Sequence, residues 1–186
     1  RRFDLRHKIA IQQALDRREM QGSGQIIRSI IATTLFFEIT GIFLLLPVFV
    51  PDFGWDKGMW LAIFHSISAW NNAGFSLFSN SLVDYQSSAL LVFTISGLIL
   101  FGGIGYQVIL EMFFWLRDRL RRRPQHIVLS LDYKVAISTT LFLLFVGSLA
   151  FFFVEIKNYQ TLRNLNFGSQ LLAALFQSVT TRTAGF

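Results

Sequence analysis

Two short glycine-containing stretches offer the clearest binding chemistry in this sequence. The first, Asn71 to Ser76, reads NNAGFS, and the second, Thr181 to Phe186, reads TRTAGF. Glycine adopts backbone conformations that are closed to other residues, and it lets other backbone segments come close. A loop of this kind can direct a row of carbonyl oxygens toward one axis, where they replace the hydration shell of a cation.

The two stretches are therefore predicted to bind a permeating cation through their backbone, with polar side chains bracing them. A short helix that ends at each loop would add the partial negative charge of its C-terminal end. The alternative is that both stretches are ordinary extracellular turns. The candidate ion-binding residues are Asn71, Asn72, Ala73, Gly74, Phe75, Thr181, Arg182, Thr183, Ala184 and Gly185.

The elements that position these loops must be largely apolar. Hydrophobic residues make up 53% of the 186 residues and charged residues only 15%, whereas soluble domains carry about 25% charged residues. The apolar residues fall in long blocks, which excludes a soluble enzyme core and a disordered chain as the main interpretation. The sequence has no cysteine, so it offers no disulfide framework, thiol nucleophile or cysteine-ligated zinc site.

Three apolar stretches are long enough to cross a bilayer. Residues 29–50 and 133–154 each provide the roughly 20 apolar residues that a membrane-spanning helix needs. Residues 88–116 are longer than one span requires and contain several glycines, so a kink or a close helix contact is expected there. The pattern predicts an all-α membrane protein.

Two further apolar segments are too short to cross. Residues 59–70 and 168–180 each run into one of the glycine loops, which is the pattern of a re-entrant pore helix. We expect the first span to end at Pro47 and Pro51, and the basic helix before it to end near residues 22–24, which read GSG.

The same unit occurs twice in the sequence. The tripeptide Ala-Gly-Phe at 73–75 recurs at 184–186, and each copy follows a span and a short apolar helix. A repeated tripeptide is weak evidence, but its recurrence at the same place in the same unit supports a repeat architecture. The first copy continues into a return span, and the sequence ends within the second copy.

The distribution of basic residues predicts an orientation. Thirteen of the 17 Lys and Arg residues lie in residues 1–28 and 117–134. Because cytoplasmic loops carry an excess of Lys and Arg, residues 1–28 and 117–132 are predicted to be cytoplasmic, and both glycine loops are predicted to enter the membrane from the outside. The localisation that follows is a multi-pass protein of the cell (inner) membrane.

Three segments together resemble one protein family. SAWNNAGFSLF at 68–78 and QSVTTRTAGF at 177–186 are similar to the second and third pore loops of the Trk/Ktr/HKT potassium transporter superfamily. FGGIGYQVILEM at 101–112 resembles the glycine-rich helix that follows the second loop, and the similarity is greatest to the bacterial KtrB branch. It extends over nearly the whole chain. The resemblance implies potassium-channel-like membrane–pore–membrane repeats, with Gly74 and Gly185 as selectivity-filter glycines.

The resemblance also implies an organisation for the chain. It would be a fragment of a four-repeat polypeptide that lacks the first and fourth repeats and the helix after Gly185. Residues 29–116 would be the second repeat, with spans 29–50 and 88–116, pore helix 59–70 and filter loop 71–76. Residues 133–186 would be the first part of the third repeat, with span 133–154, pore helix 168–180 and filter loop 181–186. Residues 1–28 and 117–132 would be a basic segment and a basic linker.

The function implied by the resemblance is potassium uptake by the ion-conducting subunit of a Trk/Ktr-type transporter. No cofactor is expected, potassium is the permeant ion and sodium is a candidate activator. The implied partners are membrane lipid, a second full-length chain in a homodimer, and a cytosolic ring of nucleotide-binding regulatory subunits, with no nucleic acid. The alternatives are a non-conducting membrane scaffold and a membrane-embedded enzyme, although the spans offer no convergent set of titratable residues.

The run RDRLRRR at 117–123 has three interpretations. It can set topology and contact anionic lipid, which we favour, or dock the regulatory subunit that the resemblance implies. Nucleic-acid binding by such a charge run is disfavoured beside a membrane span.

Three single residues also lead to predictions. Glu38 lies within a span, where an acid is costly and faces the bundle interior. It is predicted to be either a cation-path residue or, as we favour, a structural partner for a buried donor. Arg182 adjoins the second loop and would repel a cation, so we expect it to form an ion pair with Glu38 or Glu155. His65 has no second ligand at metal-binding spacing, so a metal role is disfavoured.

Overall fold

The computed structural model describes the backbone of residues 5–120, 129–158, 161–163 and 165–186. Within these ranges the chain is all-helical and contains no strand. The helices are α1 (Leu5–Phe53), α2 (Trp55–Trp70), α3 (Ala89–Ile104), α4 (Tyr106–Leu120), α5 (Leu131–Glu155) and α6 (Phe167–Thr180), with a short 3₁₀ turn at Val83–Tyr85. Residues 121–128 of the predicted basic linker lie outside the described residues.

The chain divides into two units at residue 36. Residues 5–36 are the first part of α1, where the Thr33 hydroxyl donates to the Ser29 carbonyl at 2.8 Å. Residues 37–186 form the second unit, in which α2 packs on α3, α3 packs on α6, and α6 packs on α5. Both glycine loops lie in this unit.

In the part of the chain that the structure describes, two helices are long and apolar enough to cross a membrane, Ile27–Phe53 within α1 and Leu131–Glu155. A third span is possible only if α3 and the first part of α4 are counted as one, and these two helices meet at an angle of 107°. The predicted return span over 88–116 thus contains a break at Gly105, where a kink was expected, and its crossing of the membrane as one span stays a prediction. Gly105 has a φ of 98°, a conformation that ends α3 and that residues with a Cβ rarely adopt.

Helix α1 also differs from the predicted boundaries. It runs without a break through residues 22–24 and through Pro47 and Pro51, and it ends at Phe53. The expectation that these residues end helices is wrong. A proline removes one backbone donor, but an apolar stretch leaves the remaining backbone groups no better partner than the helix itself.

The core of the second unit lies where α1, α2 and α3 meet behind the first loop. Its buried side chains come mainly from the end of α1, from α2 and from α3, and the second loop adds Ala184. The largest are Phe49, Leu45, Leu91, Ile95 and Ile99. This packing holds the C-terminal end of α2, and with it the first loop, at a fixed position.

Candidate ion-binding site

The two glycine loops lie directly against each other. A Cβ built on Gly74 would overlap the carbonyl oxygen of Ala184 and lie 2.7 Å from the carbonyl carbon. Gly74 also has a φ of 69°, so both its conformation and its close contact with the second loop require glycine. The structure thus brings together two segments that are 111 residues apart in sequence.

Asn72 joins both loops to the helix behind them. Its amide is satisfied in the orientation in which Nδ2 donates to the Ile99 carbonyl at 3.2 Å and to the Thr183 hydroxyl at 2.7 Å. In that orientation Oδ1 accepts from the Gly103 amide at 3.2 Å. Gly102 allows this approach, because a Cβ there would overlap the Trp70 carbonyl oxygen. One side chain therefore connects α3 with both loops.

The first loop leaves α2 through a Schellman motif. The Ala73 amide donates to the Ser68 carbonyl at 2.9 Å, and the Asn72 amide donates to the Ala69 carbonyl at 3.1 Å. Asn72 occupies the left-handed position of this motif with a φ of 53°, which Asn tolerates better than most residues. Farther along, the Ser68 hydroxyl donates to the Phe75 carbonyl at 2.8 Å.

The second loop reaches a similar arrangement by another route. The Gly185 amide donates to the Thr180 carbonyl at 2.9 Å, and the Thr180 hydroxyl accepts from the Phe186 amide at 2.6 Å. Thr180 therefore corresponds to Ser68. Its hydroxyl binds a residue six positions later, whereas the Ser68 hydroxyl binds one seven positions later. No residue between Thr180 and Gly185 has a positive φ, so this loop lacks the left-handed residue of the first.

Both loops leave backbone carbonyl oxygens without partners. Within the described residues, the carbonyls of Ala73, Gly74, Thr183 and Gly185 accept no hydrogen bond, whereas the amides of Ala73 and Gly185 are bound to the ends of their helices. Acceptors without donors are what a bare cation requires. The arrangement can offer oxygen ligands to a cation without any carboxylate.

Each short helix is seated on the preceding span by one serine. The Ser66 hydroxyl donates to the Glu38 carbonyl at 2.7 Å, and the Ser178 hydroxyl donates to the Leu144 carbonyl at 3.1 Å. In both cases a glycine three residues farther along the span, Gly41 or Gly147, makes room, because a Cβ there would overlap the serine oxygen. We call these contacts the two glycine–serine seats.

The sequence interpretation missed the glycine–serine seats. The signal was present as Phe-His-Ser at 64–66 and Phe-Gln-Ser at 176–178. The partner glycines could not be recognised, because their distances along the chain from the two serines are unequal.

Glu38 and Arg182 do not form the predicted ion pair. The Glu38 carboxylate accepts from Asn71 Nδ2 at 3.2 Å, and because Asn71 is exposed this contact does not provide the buried donor that was predicted. Arg182 is exposed and its guanidinium donates to the Thr140 hydroxyl of α5 at 3.4 Å. The expectation of a pair with Glu38 or Glu155 is wrong because α5 presents a hydroxyl at this position.

Glu155, the other predicted partner, makes neutral contacts near its own helix. Its carboxylate accepts from Asn158 Nδ2 and from the Thr161 hydroxyl, each at 2.7 Å.

The segment after the first loop is fastened to the end of α1. The Tyr85 hydroxyl donates to Asp52 Oδ2 at 2.8 Å. Burial, the hydrogen bond and the nearby carboxylate charge of Asp52 raise the pKa of Tyr85 to about 12. The phenol donates this bond because it is protonated at neutral pH even at its ordinary pKa, and the contact holds residues 76–88 beside the loop.

Comparison with known proteins gives a consistent result. Residues 4–186 match the family described as TrkH, cation transport protein. The chain is 39% identical over 185 residues, all of its length, to Ktr system potassium uptake protein B of Vibrio alginolyticus. It is 35% identical over 96% of its length to the potassium/sodium uptake protein NtpJ of Enterococcus hirae.

A third relative shows the same pattern. Ktr system potassium uptake protein B of Bacillus subtilis is 31% identical over the full length of this chain. The chain covers 39%, 38% and 40% of these three relatives, so it spans about two fifths of their length.

Proposed function

This chain belongs to the TrkH family of cation transport proteins, and from that membership and its paired loops we propose that it is part of the ion-conducting subunit of a potassium uptake system. The permeating ion would be potassium, as the names of the Ktr relatives indicate for those proteins. Residues 71–75 and 181–185 would form two walls of the selectivity filter.

The observation that carries this proposal is the contact between Gly74 and the backbone of Ala184. It places two loops with unpartnered carbonyls side by side, each at the C-terminal end of a short helix. The partial negative charge of a helix C-terminus favours a cation, and carbonyl oxygens can replace its hydration shell. A non-conducting scaffold or a membrane-embedded enzyme gives no reason for this pairing.

The proposed location is the cell membrane, with residues 1–28 and 117–132 in the cytoplasm. Both glycine loops would enter the membrane from the outside. The two span-capable helices and the bias of basic residues toward those segments support this orientation. The proposed partners are membrane lipid, a second full-length chain and a cytosolic ring of nucleotide-binding regulatory subunits. Sodium is proposed as an activator, and no enzymatic activity is proposed.

The experiment is uptake of rubidium, as a potassium tracer, into cells that lack their own potassium uptake systems. The complete natural chain that contains this sequence is expressed with and without Gly74→Asp, and with its regulatory subunit where one is needed. We expect uptake by the unchanged protein, and loss of uptake or of selectivity over sodium in the variant. Asp at residue 74 would place a side chain and a charge against the Ala184 backbone.

Gly97→Ala is the matched control, because a Cβ at Gly97 meets no described residue within 4 Å. Uptake that Gly74→Asp leaves unchanged would contradict the filter assignment. Absence of uptake by the unchanged protein, at verified membrane expression and with its regulatory subunit, would contradict the function.

A further inference from the structure

His65 is a buried polar residue that the proposed ion path does not use. It lies on α2 and its side chain is 0% exposed. The corresponding residue before the second loop is Gln177, since Phe-His-Ser-Ile-Ser at 64–68 parallels Phe-Gln-Ser-Val-Thr at 176–180. Gln177 is exposed, so the two short helices α2 and α6 differ at this position.

The hydrogen bonds of His65 assign its tautomer. Nδ1 lies 2.8 Å from the Leu61 carbonyl oxygen, which can only accept, so Nδ1 carries the proton. Nε2 lies 3.0 Å from the Ser76 hydroxyl and, in the neutral imidazole, accepts from it. The Ser76 oxygen in turn accepts from the Phe78 amide at 3.1 Å. A directed chain of hydrogen bonds thus runs from the end of the loop to the body of α2.

Aromatic rings enclose this chain of bonds. The Phe78 ring stacks on the imidazole with centroids 5.2 Å apart, and Phe49 and Phe64 lie at 5.5 and 5.7 Å. Phe186, at the end of the second loop, lies at 6.4 Å. Rings supply only weak acceptors, so Nε2 is the acceptor available to the Ser76 hydroxyl among these neighbours.

A second side chain of α2, Ser68, also forms a hydrogen bond with the first loop. His65 and Ser68 are three residues apart and share one face of α2. They bind consecutive loop residues, because Ser68 donates to the Phe75 carbonyl and His65 accepts from Ser76. These two contacts fix the backbone just past Gly74.

We propose that His65 is a positioning residue for the first loop, holding the end of the loop through the bond from the Ser76 hydroxyl to Nε2. The proposal rests on the proposed function, because what His65 positions is the filter segment that ends at Phe75. Its role is to set the spacing of the carbonyls and not to contact the ion.

The test uses two amide substitutions that separate the ring nitrogens. In His65→Gln the amide oxygen can reach the place of Nε2, whereas in His65→Asn the shorter amide reaches only the place of Nδ1. Ser76→Ala removes the donor. Each variant of the complete natural chain is assayed for uptake of rubidium and of sodium per molecule in the membrane.

We expect His65→Asn and Ser76→Ala each to raise the sodium-to-rubidium uptake ratio by about fivefold, the effect of one lost hydrogen bond. In His65→Gln this ratio should stay within about twofold of that of the unchanged protein. In the double variant with His65→Asn and Ser76→Ala, the ratio should be no higher than in either single variant. A ratio unchanged in Ser76→Ala, or His65→Gln as impaired as His65→Asn, would overturn the proposal.

Hydrogen–deuterium exchange separates this proposal from the proposed function. Amides of residues 75–78 should exchange about fivefold faster in His65→Asn and Ser76→Ala, and at the unchanged rate in His65→Gln. This measurement requires no transport. If the unchanged protein carries no ion but the exchange pattern is as expected, the proposed transport function is wrong and the positioning role of His65 is supported. Equal exchange in all variants would overturn the positioning role. Should His65→Asn fail to fold, Ser76→Ala is read on residues 75–77, because the Phe78 amide loses its own acceptor, the Ser76 oxygen, in that variant.

Discussion

The two Ala-Gly-Phe loops share a tripeptide and differ in what surrounds it. Gly74 and Gly185 have nearly the same φ, 69° and 78°. A Cβ on Gly74 would meet the backbone of the other loop, whereas one on Gly185 would meet nothing within 4 Å of the described residues. Among the described residues, conformation is a reason for glycine at both positions and close contact is a reason at Gly74 alone.

The largest difference is expected between Gly74→Ala and Gly185→Ala. Both substitutions impose a left-handed conformation on alanine, which costs about 1–2 kcal/mol, but only Gly74→Ala adds a clash with backbone that cannot yield. We expect Gly74→Ala to reduce rubidium uptake or selectivity by at least about a hundredfold and Gly185→Ala by about tenfold. Uptake per molecule and sodium exclusion are the measurements, and equal losses would refute the difference between the two glycines.

A smaller effect is expected from breaking the side-chain link between the loops. Asn72→Ala removes bonds to α3 and to Thr183, whereas Thr183→Ala removes only one. We expect destabilisation of about 2–3 kcal/mol for Asn72→Ala and about 1 kcal/mol for Thr183→Ala, read as melting temperatures of the purified protein in detergent. The double variant should cost less than the sum, because the two residues share one bond.

Thr181→Ala is the control for that link. The Thr181 hydroxyl bonds to the Gln177 carbonyl of its own helix at 2.7 Å, so its loss should show no coupling to Asn72. Strict additivity of Asn72→Ala and Thr183→Ala would mean that the link does not join the loops.

The smallest difference is expected between the two glycine–serine seats, because they have the same construction. Gly41→Ala and Gly147→Ala each force a Cβ into the serine oxygen, and overpacking of this kind costs about 1–3 kcal/mol. We expect similar falls in melting temperature for both and no fall for Gly97→Ala. If Gly41→Ala and Gly147→Ala behaved like Gly97→Ala, the seats would have no role in placing the short helices.

Much of this arrangement follows from sequence patterns. Apolar blocks and basic flanks predict helices of membrane length, and the recurrence of Ala-Gly-Phe predicts two related loops. What the pattern cannot supply is the residue at which a helix ends. Pro47 and Pro51 predict the end of the first span because proline lacks a backbone donor, yet α1 continues to Phe53.

Specific pairings were the least predictable part. Charge alone suggested that Arg182 would pair with an acid, but the neighbouring helix offers the Thr140 hydroxyl. A lone histidine carries no motif, so the brace from His65 to Ser76 could only be recognised once the fold had placed them 3.0 Å apart. Gly105 is permissive of many conformations, and only the structure shows which one it adopts.

The one-residue difference between the loops, seven positions from Ser68 to Phe75 against six from Thr180 to Phe186, has a consequence for how such a site can evolve. Where a site is built from identical subunits, each mutation changes every wall of the site. Where it is built from repeats within one chain, a mutation changes one repeat and leaves the others as they are. The additional residue in the first loop is a change of this kind, because the second loop does not share it. In the proposed filter, discrimination between ions of similar size would therefore be adjusted in small steps, one wall after another, while the opposite wall is kept.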